Sequence, residues 1–199
     1  FNEEPLGEDE KNKLKKELGI SDGDFVLMYV AELNANKNQG MLIEAMKKIV
    51  NTIPNCKLYL IGKGIFEDKY KNDIVFAGLE NNVNMTGYRS DTNKLLKLAD
   101  LCVATSKREG LPINLVEAAL SGVPILAYKN RGHVEIVQND VNGYSFESEN
   151  ELVSRVIQLY KDKELLKNLK SNCRKSAEKF TLDNALKEQI EIYESEMKD

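Results

Sequence analysis

From Phe25 onward, short and wholly apolar runs alternate with longer stretches in which apolar residues return every three or four positions. The first kind reads as strands buried on both faces and the second as amphipathic helices, so the alternation predicts crossover-linked strands in a parallel sheet. FVLMYVAEL, starting at Phe25, is the first strand. QGMLIEAMKKIV follows as a helix with Leu42, Ala45, Met46 and Ile49 on one face. KLYLIG and VNMTG are the next strands, with no helix predicted between them. The series continues as TNKLLKLA (helix), DLCVATS (strand), INLVEAAL (helix), PILAY (strand), HVEIV (short helix) and GYSF (short strand). After Glu149 come three helical stretches, ELVSRVIQLYKD, KELLKNLKSNCRKSAEKF and DNALKEQIEIYESEM, with no strand signal. The predicted fold is a Rossmann-like, doubly wound α/β domain with a helical C-terminal tail.

Composition narrows the function classes. The chain has 199 residues, 42% of them hydrophobic, enough for one domain with a substantial core. Its formal net charge is −4, which predicts no general attraction to nucleic acid or to an anionic bilayer, so any anion site must be local. No apolar run approaches the roughly 18 residues of a membrane span, and no signal-peptide pattern opens the chain, so the sequence reads as cytosolic. Cys56, Cys102 and Cys173 lack disulfide or zinc spacing and read as reduced, buried thiols. The first residue is Phe1, and the charged opening reads as a linker and leading helix over 1–22, which points to a fragment of something longer.

In doubly wound sheets, ligands bind beyond the carboxyl ends of the strands. The loops there, AELNANKNQ, GKGIFED, TGYRSD, SKREGLPIN and KNRGH, carry lysine or arginine, including Arg89 in the third, and such a rim suits a phosphorylated ligand. In the fourth loop Pro112 is a favourable first helical residue. A helix starting there has Leu111 at its cap, without a side-chain acceptor, so the amides of Gly110, Leu111, Ile113, Asn114 and Leu115 are open to a diphosphate. The alternative is that Asn114 caps a helix beginning at Leu115. Glu117 sits in LVEAAL among residues that belong in a core, where an unpaired carboxylate costs several kcal/mol. It needs either a basic partner, a solvated helix edge, or two hydroxyl donors such as those of a ribose. Glu109, just before the helix, could accept from the hydroxyls of a sugar.

The Glu109–Glu117 spacing, inside TSKREGLPINLVEAALSGVPILAY, resembles the E-x7-E motif of the C-terminal domain of family 4 GT-B glycosyltransferases, the glycosyl transferases group 1. YVAELNANKNQ, LIGKG, VNMTGYRSD and VQNDVNGYSF match the same family in order, so the resemblance covers nearly the whole chain. It implies that Glu109 contacts a donor sugar, Glu117 the ribose, and the amides of 110–115 the diphosphate. Lys37 resembles the family's diphosphate-neutralising lysine. Tyr88 and Arg89 match the segment lining the base pocket, where a guanidinium can stack on uracil; read from the residues alone, Tyr88 could be core and Arg89 surface. Glu32 departs from the family, which usually places an arginine at this strand end. Arg89, Lys107 or Arg108 could compensate, or Glu32 could meet sugar hydroxyls or another domain.

Gly62 and Gly64 form only a GxG, with Glu67 where a dinucleotide fingerprint needs its third glycine, so Gly62 reads first as a tight turn and second as a close approach to phosphate. His133, the one histidine, is expected to begin a short helix near the site. The resemblance implies a donor-binding domain, 23–180, of a retaining glycosyltransferase. The expected donor is a uridine-linked hexose or N-acetylhexosamine, and the acceptor is a glycan or lipid-linked molecule handled by a missing N-terminal domain. It implies no metal and no cofactor. Helix 181–199, with Ile190, Ile192 and Tyr193, would cross to the missing domain, which would also make any membrane contact. The alternatives are a non-catalytic nucleotide- or sugar-binding module, and an NAD-dependent oxidoreductase that the failed fingerprint disfavours.

Overall fold

The computed structural model describes residues 6–181. Six parallel strands form one sheet: β1 (Phe25–Val30), β2 (Cys56–Ile61), β3 (Val83–Gly87), β4 (Leu101–Ala104), β5 (Ile125–Tyr128) and β6 (Gly143–Phe146). Their order is β3-β2-β1-β4-β5-β6, the doubly wound arrangement in which the chain reverses direction across the sheet between β1 and β4. Every residue of β4 is buried, as is most of β1, β2 and β5, which is why these segments are apolar without alternation.

The helices are α1 (Glu8–Leu18), α2 (Gln39–Thr52), α3 (Glu67–Phe76), α4 (Thr92–Leu96), α5 (Ile113–Leu120), α6 (His133–Ile136), α7 (Glu149–Lys161) and α8 (Lys163–Ala177). Helix α2 packs on α7, and α5 on α8, through the apolar faces that the periodicity marks out. Ser148 and Asp162 accept hydrogen bonds from Glu151 N and Leu165 N, fixing where α7 and α8 begin. Helix α1 is joined to the body: Leu14 and Ile20 are buried, and Tyr59 Oη donates to Leu18 O at 3.0 Å. The expected helix over 181–199, with Ile190, Ile192 and Tyr193, lies outside the described residues.

Two local readings are corrected. Helix α3 occupies ground read as loop, because only Tyr70 and Ile74 of its ten residues are buried and its charges hide the period. Helix α5 starts at Ile113, with Pro112 at the cap position and not inside the helix. Asn114 is no cap, since its Nδ2 donates to Val30 O at 3.0 Å.

Gly62 has φ +144°, and a Cβ there would lie 2.1 Å from Ala31 O, so the loop after β2 lies against the end of β1 in a way that only glycine permits. Gly62→Ala should cost about 3 kcal/mol through strain and forced separation. A thermal melt should show Tm lowered by roughly 6–12 °C.

Candidate functional site

Parallel pairing between β1 and β4 is confined to Leu27 with Leu101 and Met28 with Cys102, so the two strands part before they end. The gap is filled by polar side chains. Tyr29 Oη lies 2.7 Å from Ser106 Oγ and 3.1 Å from Lys37 O, and Thr105 Oγ1 donates to Lys37 O and Asn38 O, both at 2.9 Å. Burial pushes the Tyr29 phenol well above its usual range and keeps it a neutral donor. Asn36 joins the two loops directly: its Nδ2 donates to Arg108 O at 3.0 Å, its Oδ1 accepts from Arg108 N at 3.2 Å, and its carbonyl accepts from Lys107 N at 2.8 Å. Asn34 Oδ1 turns the β1–α2 loop by accepting from Asn36 N and Lys37 N, each at 3.0 Å.

These contacts bring together two residues distant in sequence. Lys37 Nζ lies 2.5 Å from Glu109 Oε1, and the side chains are only 22% and 13% exposed. Burial alone would raise the Glu109 carboxyl. The Lys37 ammonium and the Ser106 hydroxyl outweigh it, with a smaller contribution from His133, and hold Glu109 below the ordinary glutamate range. Glu109 is therefore a carboxylate at neutral pH, and Lys37 is oriented before any ligand arrives.

Helix α5 begins beside this pair. Pro112 offers no side-chain acceptor, Ile113 N–H turns back onto Leu111 O at 3.0 Å, and the first turn contains no acid. The exposed loop Gly110–Leu111 and Ile113 front this helix start, with Leu115 buried behind it. Further along, Glu117 is partly buried, and its carboxylate forms no hydrogen bond or ion pair with a described residue. Desolvation raises its carboxyl above the ordinary range. The salt bridge considered for it from sequence is not formed with any described residue.

On the other side of β1, a cleft of about 390 Å³ is lined by Val30, Ala31, Glu32, Ile61, Gly62, Lys63, Tyr88, Arg89 and Thr92. Tyr88 is 74% exposed, so it stands on the rim and outside the core. Arg89 is held at its edges: Nε and Nη2 reach Asp91 at 2.8 and 2.7 Å, and Nη1 pairs with Glu17 of α1. In this fold its guanidinium is committed to protein carboxylates and not to Glu32. Lys63 stands beside Glu32 instead, its carbonyl accepting from Leu33 N at 3.1 Å. Gln39 Nε2 fixes the Glu32 backbone through a 2.8 Å bond to its carbonyl, while the Glu32 side chain is exposed. Lys63 and Thr92 are cleft residues that sequence reasoning did not single out; the loop GKGIFED was the available signal for Lys63. Tyr29 lies within FVLMYVAEL, the first predicted strand, and a tyrosine inside a buried strand implies a partner for its hydroxyl.

Among the described residues no group of three or more His, Cys, Asp or Glu could hold a metal ion, and no helix is long and apolar enough to cross a membrane.

A doubly wound sheet with a charged crevice at its switch point, an uncapped helix start and a neighbouring cleft defines a nucleotide-binding type of α/β domain. The chain belongs to the family described as glycosyl transferases group 1, which matches residues 10–176. Among its relatives, EpsD of Bacillus subtilis, which carries a glycosyltransferase designation, is 36% identical over 97% of this chain and 51% of its own length. N-acetyl-alpha-D-glucosaminyl L-malate synthase of Bacillus anthracis is 28% identical over 94% of this chain and 50% of its own. The crystal structure of Anabaena HepE in complex with UDP-glucose superposes with a TM-score of 0.85 at 27% identity, covering 96% of this chain and 54% of that one. The chain thus spans about half the length of the curated relatives it matches, and its fold is that of the C-terminal domain of a GT-B glycosyltransferase.

Because Glu117 has a raised folded-state pKa, the folded form binds more protons than the unfolded one between the ordinary glutamate value and the raised value. Its stabilising effect is present at low pH and is lost as pH rises through that window, leaving at pH 7 a partly buried charge with no partner among the described residues. Glu117→Gln should therefore raise Tm of the ligand-free protein at pH 7 by roughly 2–4 °C, the shift for about 1 kcal/mol in a chain of this size. The difference from wild type should shrink in melts run near pH 4.

Proposed function

We propose that this chain is the donor-binding domain of a retaining glycosyltransferase. It would bind a nucleoside diphosphate sugar, uridine-linked and carrying a hexose or N-acetylhexosamine, for transfer to a glycan or lipid-linked acceptor in polysaccharide biosynthesis. The observation that carries this reading is Glu117: a partly buried carboxylate without a hydrogen-bond or ion-pair partner among the described residues, four residues into a helix whose start is uncapped. A ribose diol supplies the two hydroxyl donors that such a group lacks, and its diphosphate then falls on the helix start, where Ile113 and Leu115 N–H already bond Leu111 O and Pro112 O and the amides of Gly110, Leu111 and Asn114 would receive it. Lys37 would neutralise the diphosphate and Glu109 would accept from the sugar, once the ligand enters between them. The flat face of Arg89, with Tyr88 on the rim, would hold the base over Gly62. UDP-glucose in the HepE complex supports the uridine assignment.

No metal or cofactor is required in this scheme, since the cations and the helix start would stabilise the departing nucleotide. The acceptor and any membrane surface would be met through an N-terminal domain at the cytoplasmic face. This chain by itself should bind donor and transfer little.

A second reading, a nucleotide- or sugar-binding module without catalysis, is favoured by one feature. Glu32 places a carboxylate where the family usually has a phosphate-binding arginine, and Arg89 is already neutralised by Asp91 and Glu17. Turnover of a donor by a protein that includes the acceptor domain would eliminate this alternative.

Calorimetric titration should show UDP binding in preference to GDP and ADP. Glu117→Ala should weaken it at least tenfold, about 1.4 kcal/mol. Equal binding of all three nucleotides, or an indifferent Glu117→Ala, would count against the ribose role.

A further inference from the structure

The turn between β5 and α6 packs against the β4–α5 loop at the crevice. Gly132 has an ordinary φ of −74°. Yet a Cβ there would lie 2.4 Å from Gly110 O and 2.7 Å from Glu109 O, so the turn is pressed against the loop that carries Glu109. Asn130 fastens the two segments. Its Nδ2 donates to Ser106 O at 2.8 Å, and its Oδ1 accepts from His133 N at 2.9 Å.

His133 closes the turn. It is 1% exposed, and its Nδ1 lies 2.6 Å from Tyr128 O. A carbonyl can only accept, so Nδ1 carries the proton; Asn130 Nδ2, 3.0 Å from the same nitrogen, is a neighbour and not a donor to it. The charged groups facing the ring are Glu109 on the β4–α5 loop and Lys37 on the β1–α2 loop. Burial outweighs the Tyr128 carbonyl and Glu109 and pushes the imidazole below its usual range, so one neutral tautomer persists at pH 7.

We propose that His133 is a positioning residue: by donating Nδ1–H to Tyr128 it holds the Asn130–Gly132 turn against the β4–α5 loop and so sets where the Glu109 carboxylate points. This rests on the reading in which Glu109 meets the donor sugar. The requirement is for a donor at one place. An asparagine side chain puts its Nδ2 near the position of the histidine Nδ1, whereas glutamine puts its amide near Nε2. Asparagine should therefore substitute and glutamine should not.

The test measures affinities for UDP and UDP-glucose in wild type, His133→Ala, His133→Asn and His133→Gln, with a thermal melt of each. The expected result is that alanine and glutamine weaken UDP-glucose at least fivefold relative to UDP, leave UDP within twofold, and that asparagine restores the wild-type ratio. Equal weakening of both ligands, an unchanged ratio, or rescue by glutamine as good as by asparagine would overturn the assignment. Should the alanine variant fail to melt cooperatively, the asparagine–glutamine pair carries the comparison.

Wild-type protein that binds neither ligand would remove the donor reading and leave the positioning question to a second measurement, the titration of the Glu109 carboxyl by carbon-detected NMR. Its midpoint should rise in the alanine and glutamine variants and stay low with asparagine. A midpoint indifferent to all three would overturn the positioning role.

Discussion

Beyond Met28 and Cys102 the neighbouring strands β1 and β4 stop pairing, and the backbone groups released there must find side chains. Asn114 takes up one of them, the Val30 carbonyl, while Tyr29, Thr105 and Asn36 bond carbonyls of the loops beyond the strand ends, and each ties one loop or strand end to another. The result is a crevice whose walls are set by hydrogen bonds before any ligand enters. Lys37 and Glu109 depend on this: their ion pair is too desolvated to be a cheap source of stability, and it persists because both loops are already fixed. What it supplies is orientation, which is what a binding site needs from its scaffold.

The sheet was legible in the sequence because strands buried on both faces leave runs that no other element produces at that length. The miss at α3 follows from the same logic. A helix that buries two residues of ten has almost no apolar stripe, and charged pairs such as Lys71 with Glu67 hold its surface without marking it as helical in a hydropathy pattern. The start of α5 was displaced by one residue because two plausible signals, Pro112 and Asn114, compete locally. Tertiary structure decides between them: Asn114 is drawn to the carbonyl of Val30, 84 residues away in sequence, and cannot also cap its own helix.

Legibility at the site divides along similar lines. Lys37, Glu109 and Glu117 could be singled out from residue type, spacing and the family pattern, because each stands where its chemistry is out of place unless something is bound nearby. Partners could not be read. Nothing local announces that Arg89 shares its charge with Glu17 across 72 residues, or that the hydroxyl of Tyr29 reaches Ser106 across 77. The alternative reading of Tyr88 as core failed for a related reason, since a rim and a core both accept a tyrosine and only the folded surface separates them.

The way Arg89 is held has a consequence for how the two halves of the crevice respond to solution conditions. With Nε and Nη2 engaged by Asp91 and Nη1 by Glu17, what remains to face a neighbour is a flat face whose positive charge is already offset by two carboxylates. Contacts made against it draw on area and dispersion, which dissolved ions leave almost untouched. Across β1, the helix start and Lys37 act through charge, which ions in solution attenuate. Contacts against the Arg89 face are therefore less sensitive to ionic strength than those at the helix start, so salt concentration becomes a means of weighing the two separately.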